Sequence, residues 1–136
     1  MNRAAMVIGM FSTVVLTGVA GAGGAHAQPP PPPGPCNFTL SPPQMVQVGG
    51  VAKVTATLTP AGCVNPWKPK YGVACVYLQG GAGQCTQSRG PDTAQVFFET
   101  YQPGATYFST GRGCGAIFDF TTDPTCQAIG PINATL

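Results

Sequence analysis

The sequence predicts an all-β fold, an antiparallel sandwich of about seven short strands stapled by three disulfides. Three observations carry this. Clusters of Gly, Pro, Asn, Asp and Ser recur roughly every ten residues beyond residue 35, as turns do in a sandwich. The stretches between them are rich in β-branched and aromatic residues, and no stretch shows the apolar period of an amphipathic helix. Six cysteines stand in a chain in which charged residues make up only 7%, an even count that reads as a disulfide framework in a small exported protein. A closed barrel is the alternative. Prolines and glycines inside several strand segments fit the open edges of a sandwich better.

Residues 1–27 read as a secretory signal. Arg3 supplies the basic start, Ala4 to Ala20 is uncharged and mostly apolar, and Ala25-His26-Ala27 is an A-x-A cleavage site. The uncharged run approaches membrane-spanning length, so an uncleaved anchor is the competing reading; its glycines and the A-x-A site favour cleavage. No cysteine closes the apolar run as in a lipoprotein signal. Residues 28–35, QPPPPPGP, form a polyproline linker, an extended spacer or alternatively a ligand for an aromatic groove. Residues 36–136 then make one domain, with no further long apolar run and so no expected membrane contact after cleavage.

The strand candidates follow in order. Cys36–Leu40 and Gln44–Val48 flank Ser41-Pro42-Pro43, an interruption suited to an edge strand. Gly49-Gly50 is a turn. Val51–Pro60 alternates Val54, Ala56 and Leu58 against Lys53, Thr55, Thr57 and Thr59, the pattern of a half-buried strand. Ala61–Lys70 is expected to be a loop. Tyr71–Leu78 sets Tyr71, Val73, Cys75 and Tyr77 against Ala74, Val76 and Leu78, apolar on both faces, as expected for a central strand packed on both sides or for a short run at the core. Gln79–Gln84 is a glycine-rich hairpin connection, Cys85-Thr86-Gln87 begins the return, and Ser88–Asp92 turns again. Gln95–Thr100 and Ala105–Thr110 are strands around Gln102-Pro103-Gly104. Gly111-Arg112-Gly113 is expected to loosen the chain, Ala116–Phe120 to be a short strand or loop, and Cys126–Leu136 a last strand broken at Gly130-Pro131.

The run Pro103-Gly104-Ala105-Thr106-Tyr107 resembles the turn before the penultimate strand of immunoglobulin-like and fibronectin-III-like sandwiches, where a tyrosine hydroxyl ties back to the preceding corner. The resemblance implies an Ig-like sandwich with Tyr107 as the corner tyrosine. The Ala/Gly/Pro/Thr/Val bias is similar to that of small exported actinobacterial proteins. Neither resemblance implies an activity.

Cys36, Cys63, Cys75, Cys85, Cys114 and Cys126 allow fifteen pairings, which spacing alone does not decide. Sandwich topology makes nearest-neighbour pairing coherent: Cys36 and Cys63 at one end of adjacent strands, Cys75–Cys85 across QGGAGQ, Cys114–Cys126 across the last connection. With no C-x-x-C and no paired short spacings, neither a thioredoxin-like site nor a zinc site is expected. Trp67 lies in a proline-flanked stretch after Cys63 and not on a central strand, so the inter-sheet bridge of antibody domains is not carried over.

The only histidine, His26, falls inside the signal. The mature chain then lacks the commonest general base and metal ligand, so no metal, no cofactor and no catalysis are expected. Ser41, Ser88 and Ser109 have no histidine to activate them. Asp119 and Asp123, with Glu99 or Asp92, are the only material for a carboxylate-based hydrolase, and Asp123-Pro124 reads more simply as a turn. The weak net charge does not suit nucleic acid. The candidate binding surface is Trp67, Lys68, Lys70 and Tyr71, with Arg112 brought to the same end: an indole and cations suited to a protein or glycan at the cell surface. The plainer reading has Trp67 capping the core and the lysines keeping it soluble. The functional expectation is a secreted binding module acting at the cell envelope or extracellularly. A structural envelope component without a specific ligand is the alternative.

Overall fold

The computed structural model describes residues 33–117 and 123–136. The signal expected over residues 1–27 and the acid Asp119 lie outside them. Eight strands are present: β1 (Cys36–Leu40), β2 (Gln44–Val48), β3 (Val51–Cys63), β4 (Trp67–Leu78), β5 (Gly83–Arg89), β6 (Ala94–Phe98), β7 (Thr106–Ile117) and β8 (Thr125–Thr135). There is no helix among the described residues.

The strands form two antiparallel sheets. In the first, β3 is central, with β1 and β2 on one side and β6 on the other. The second runs β5-β4-β7-β8. The chain crosses between sheets from β3 to β4, from β5 to β6 and from β6 to β7, which makes an Ig-like Greek-key sandwich. β1 and β2 act as one edge strand interrupted at Ser41-Pro42-Pro43. Across that gap the Ser41 amide donates to Thr57 O (2.9 Å), and Thr57 N donates to Ser41 Oγ (3.0 Å). Prolines are tolerated there because no further strand needs their missing N–H. Gly49 and Gly50, both with positive φ (58° and 80°), close the two-residue hairpin between β2 and β3.

The core forms where the alternating faces meet. Val54, Ala56 and Leu58 of β3, Ala94, Val96 and Phe98 of β6, and Ala74 and Val76 of β4 are all buried around Tyr107. Burial of a Val, Leu or Phe side chain contributes about 1.5–3 kcal/mol, and Phe38 and Cys36 of β1 extend the same core. Tyr107 is fully buried, and its ring meets Phe98 edge-on at 6.0 Å. Its hydroxyl accepts from Gln102 N (2.7 Å) and donates to Thr100 O (3.0 Å). That is the corner expected from the Pro-Gly-Ala-Thr-Tyr run.

The three disulfides are Cys36–Cys63, Cys75–Cys85 and Cys114–Cys126. Each joins residues directly opposite one another on neighbouring strands. All three staple within a sheet, and none crosses between sheets.

Three sequence expectations need correction. Ala61–Lys70 is mostly strand: Ala61–Cys63 complete β3, because β1 pairs with it as far as Cys36↔Cys63, and Trp67 opens β4, because β7 pairs with it from Ile117. Only Val64-Asn65-Pro66 connects them. Pro69 fits inside β4 because β5 reaches only to Tyr71, leaving that end of β4 an edge.

Gly111-Arg112-Gly113 does not loosen the chain but lies in the middle of β7, opposite Ala74, Val73 and Gly72. The glycines are there for contact. A Cβ on Gly113 would overlap the Phe38 ring, one on Gly115 would overlap Cys36 Sγ, and one on Gly111 would lie 2.7 Å from Leu58 Cδ1. Gly72 beside them would put a Cβ 3.0 Å from Leu58 Cδ2. Glycines and Ala74 therefore make a low floor on the four-stranded sheet, into which Cys36, Phe38 and Leu58 of the other sheet settle.

The third correction concerns β4, which is packed on one face only. Ala74 and Val76 point into the core, whereas Tyr71, Val73 and Tyr77 look out and are half-buried or exposed.

Candidate functional site

Strand period decides which of the candidate residues meet. Trp67 is opposite Ile117, on the inner side of β4, and packs against the core. Lys68, the next residue, points to the outer side and is exposed. Lys70 is the extra residue of a bulge between Pro69 and Tyr71. Tyr71 returns to the outer side, opposite Cys114. The five candidates are thus split. Lys68, Tyr71 and Arg112 share the outer face of the four-stranded sheet, and Trp67 belongs to the core. Arg112 reaches that face from mid-strand and not from a loop at the end of the sandwich.

The outer face can be read row by row across β5, β4, β7 and β8. Arg89, Tyr71, Cys114 and Cys126 form one row; Gln87, Val73, Arg112 and Ala128 form the next. Cys85, Cys75 and Thr110 follow, then Gly83, Tyr77, Phe108 and Asn133. Two of the three disulfides lie here, each beside a tyrosine. The Tyr71 hydroxyl is 3.9 Å from Cys126 Sγ, and the Tyr77 hydroxyl is 3.8 Å from Cys85 Sγ. Arg112 Nη2 donates to Cys126 Sγ at 3.6 Å. The Tyr77 ring covers Gly83, whose missing side chain leaves it room, and remains 37% exposed.

The electrostatics of this face are one-signed. Strands β4, β5, β7 and β8 carry Lys68, Lys70, Arg89 and Arg112 and no Asp or Glu. On the other sheet Lys53 is paired with Glu99 at 3.2 Å. Among the described residues neither Arg89 nor Arg112 makes an ion pair. A face of this kind can bind anionic groups, because guanidinium forks hold carboxylates through two parallel hydrogen bonds.

Sequence reasoning missed Arg89, Gln87 and Tyr77 as parts of the surface. The signal was available in the alternation of Tyr71, Val73, Cys75 and Tyr77, which puts both tyrosines on one side. Which residues of β5 stand beside them depends on the β4–β5 register, which the Cys75–Cys85 pair fixes.

The acids do not gather. Glu99 is bound to Lys53, and Asp92 sits in the turn after β5, its amide donating to Arg89 O at 3.2 Å. Asp119, the proposed partner of Asp123, is outside the described residues. No group of three or more metal-ligating side chains occurs among the described residues. A cleft of about 210 Å³ lies between Gly34–Cys36 and Thr125–Ala128, below the roughly 300–1,000 Å³ of typical small-molecule sites. No helix among the described residues is long and apolar enough to cross a membrane. Compared with models of protein families, with curated proteins and with solved structures, the chain matches none of them.

Proposed function

We propose that this chain is a secreted, disulfide-stabilised binding module that acts at the cell envelope or outside it, without catalysis, through the outer face of its four-stranded sheet. The one-signed charge of that face carries the reading. Lys68, Arg89 and Arg112 stand around Tyr71 on strands that have no carboxylate. Cations placed only for solubility would be interspersed with acids. The three disulfides support the location, since such bonds persist in oxidising compartments. The export signal read in residues 1–27 supports it independently. Two bridges in the face itself fix the strands before a ligand arrives, which lowers the ordering cost of binding.

Retention of the purified, disulfide-intact protein on isolated cell walls tests this. Arg112→Gln and Tyr71→Ala, on the outer face, are expected to reduce retention severalfold, while Lys53→Gln, on the other sheet, leaves it unchanged. Equal retention of all three with the parent protein would remove the face from consideration.

A further inference from the structure

We infer that the outer face takes a carboxylate-bearing polysaccharide, an acidic glycan chain lying across β5, β4 and β7. This rests on the binding reading above and names its ligand. Sign comes first: the four strands present only cations, so the ligand that complements them is anionic. Spacing comes second. Arg89 is directly opposite Tyr71 on β5, and Arg112 is one strand beyond Tyr71 and two residues along. Strand separation and rise then put the two arginine backbones about 12 Å apart, a span that two successive sugar rings of a linear chain can bridge. Surface comes third. Tyr71 starts on β4, between the arginine-bearing strands, and its hydroxyl reaches across β7 to Cys126 Sγ (3.9 Å), to which Arg112 Nη2 also donates (3.6 Å). The ring therefore lies over β7 beside the Arg112 guanidinium, where it offers a platform for the apolar side of a pyranose. Each arginine can then take the carboxylate of a neighbouring sugar in a fork.

A peptide fits less well. Extended peptides add to sheet edges, where backbone groups are unpaired, whereas β4 and β7 are paired on both sides along most of their length.

The probes are oligogalacturonate and hyaluronate oligomers, each compared by calorimetry with its carboxyl-reduced, uncharged counterpart. Both acidic oligomers are expected to bind, more weakly as salt is raised, and the reduced forms at least tenfold more weakly. Arg89→Gln and Arg112→Gln should each lower affinity about tenfold, the loss of one charge-assisted contact, with Lys53→Gln unchanged and thermal melts confirming that all variants fold. Equal binding of acidic and reduced oligomers, or no binding of either acidic probe, overturns the acidic-glycan assignment. If cell-wall retention still depends on Arg112 in that case, the face stands and only its ligand changes. If retention is indifferent to Arg112, the face falls too.

Discussion

The ring of Phe38, on β1, lies directly over Gly113, on β7, with no room between them for a methyl group. The pair sets how closely the two sheets approach, since Cys36 over Gly115 and Leu58 over Gly111 repeat the arrangement on either side.

Gly113→Ala is therefore expected to destabilise the fold by about 1–3 kcal/mol, the usual cost of forcing extra volume into a packed core. In a loop the same change would be neutral or mildly stabilising. Phe38→Val in the Gly113→Ala background should recover part of the loss, because the smaller side chain frees the space. Urea denaturation of the two single variants and the double variant measures this coupling, and strictly additive effects would mean that the two residues do not touch.

Tyr107→Phe removes a hydroxyl that makes two hydrogen bonds while leaving the ring against Phe98. The amide of Gln102 and the carbonyl of Thr100 each lose a partner, so the expected cost is about 1–3 kcal/mol and the melting temperature drops by several degrees. Tyr101→Phe, in a residue whose hydroxyl has no such partner among the described bonds, should leave the melting temperature nearly unchanged.

The disulfides are expected to rank by the length of chain they close. Cys36–Cys63 spans 27 residues and Cys75–Cys85 spans 10. Loop-closure entropy makes the longer bridge worth about 0.9 kcal/mol more. Replacing each pair by alanines and comparing melts should place the Cys36–Cys63 variant lowest, the more so because Cys36 is buried against Gly115. Non-reducing peptide mapping of the parent protein should recover the same three crosslinks and no free thiol.

Much of this fold was legible in the sequence. The alternation in Val51–Pro60, the Gly49-Gly50 turn, the Tyr107 corner and the cysteine pairs all depend on local pattern or on neighbouring strands. What was not legible depends on contact between sheets. Gly111 and Gly113 look like a loosened segment until Phe38 and Leu58 are seen above them. The same misreading moved Arg112 to a loop at the end of the sandwich. Trp67 was joined to Lys68 because they are adjacent in sequence, yet neighbours on a strand face opposite ways, and only pairing with Ile117 showed that Trp67 lies on a strand at all. The outer face was half visible, in Tyr71 and Tyr77. Its other half, Arg89 and Gln87, needed the β4–β5 register.

Hydroxyl-radical footprinting of the protein with and without cell-wall material tests the central claim most directly. Tyr71, Tyr77 and Phe108 report the outer face of the four-stranded sheet, and Met45, Val51 and Phe97, exposed on the other sheet, report the rest of the surface. The account predicts that ligand protects the first three from oxidation and leaves the second three at their unbound rates. Protection of Met45, Val51 or Phe97, with Tyr71 and Tyr77 still oxidised at full rate, would contradict it.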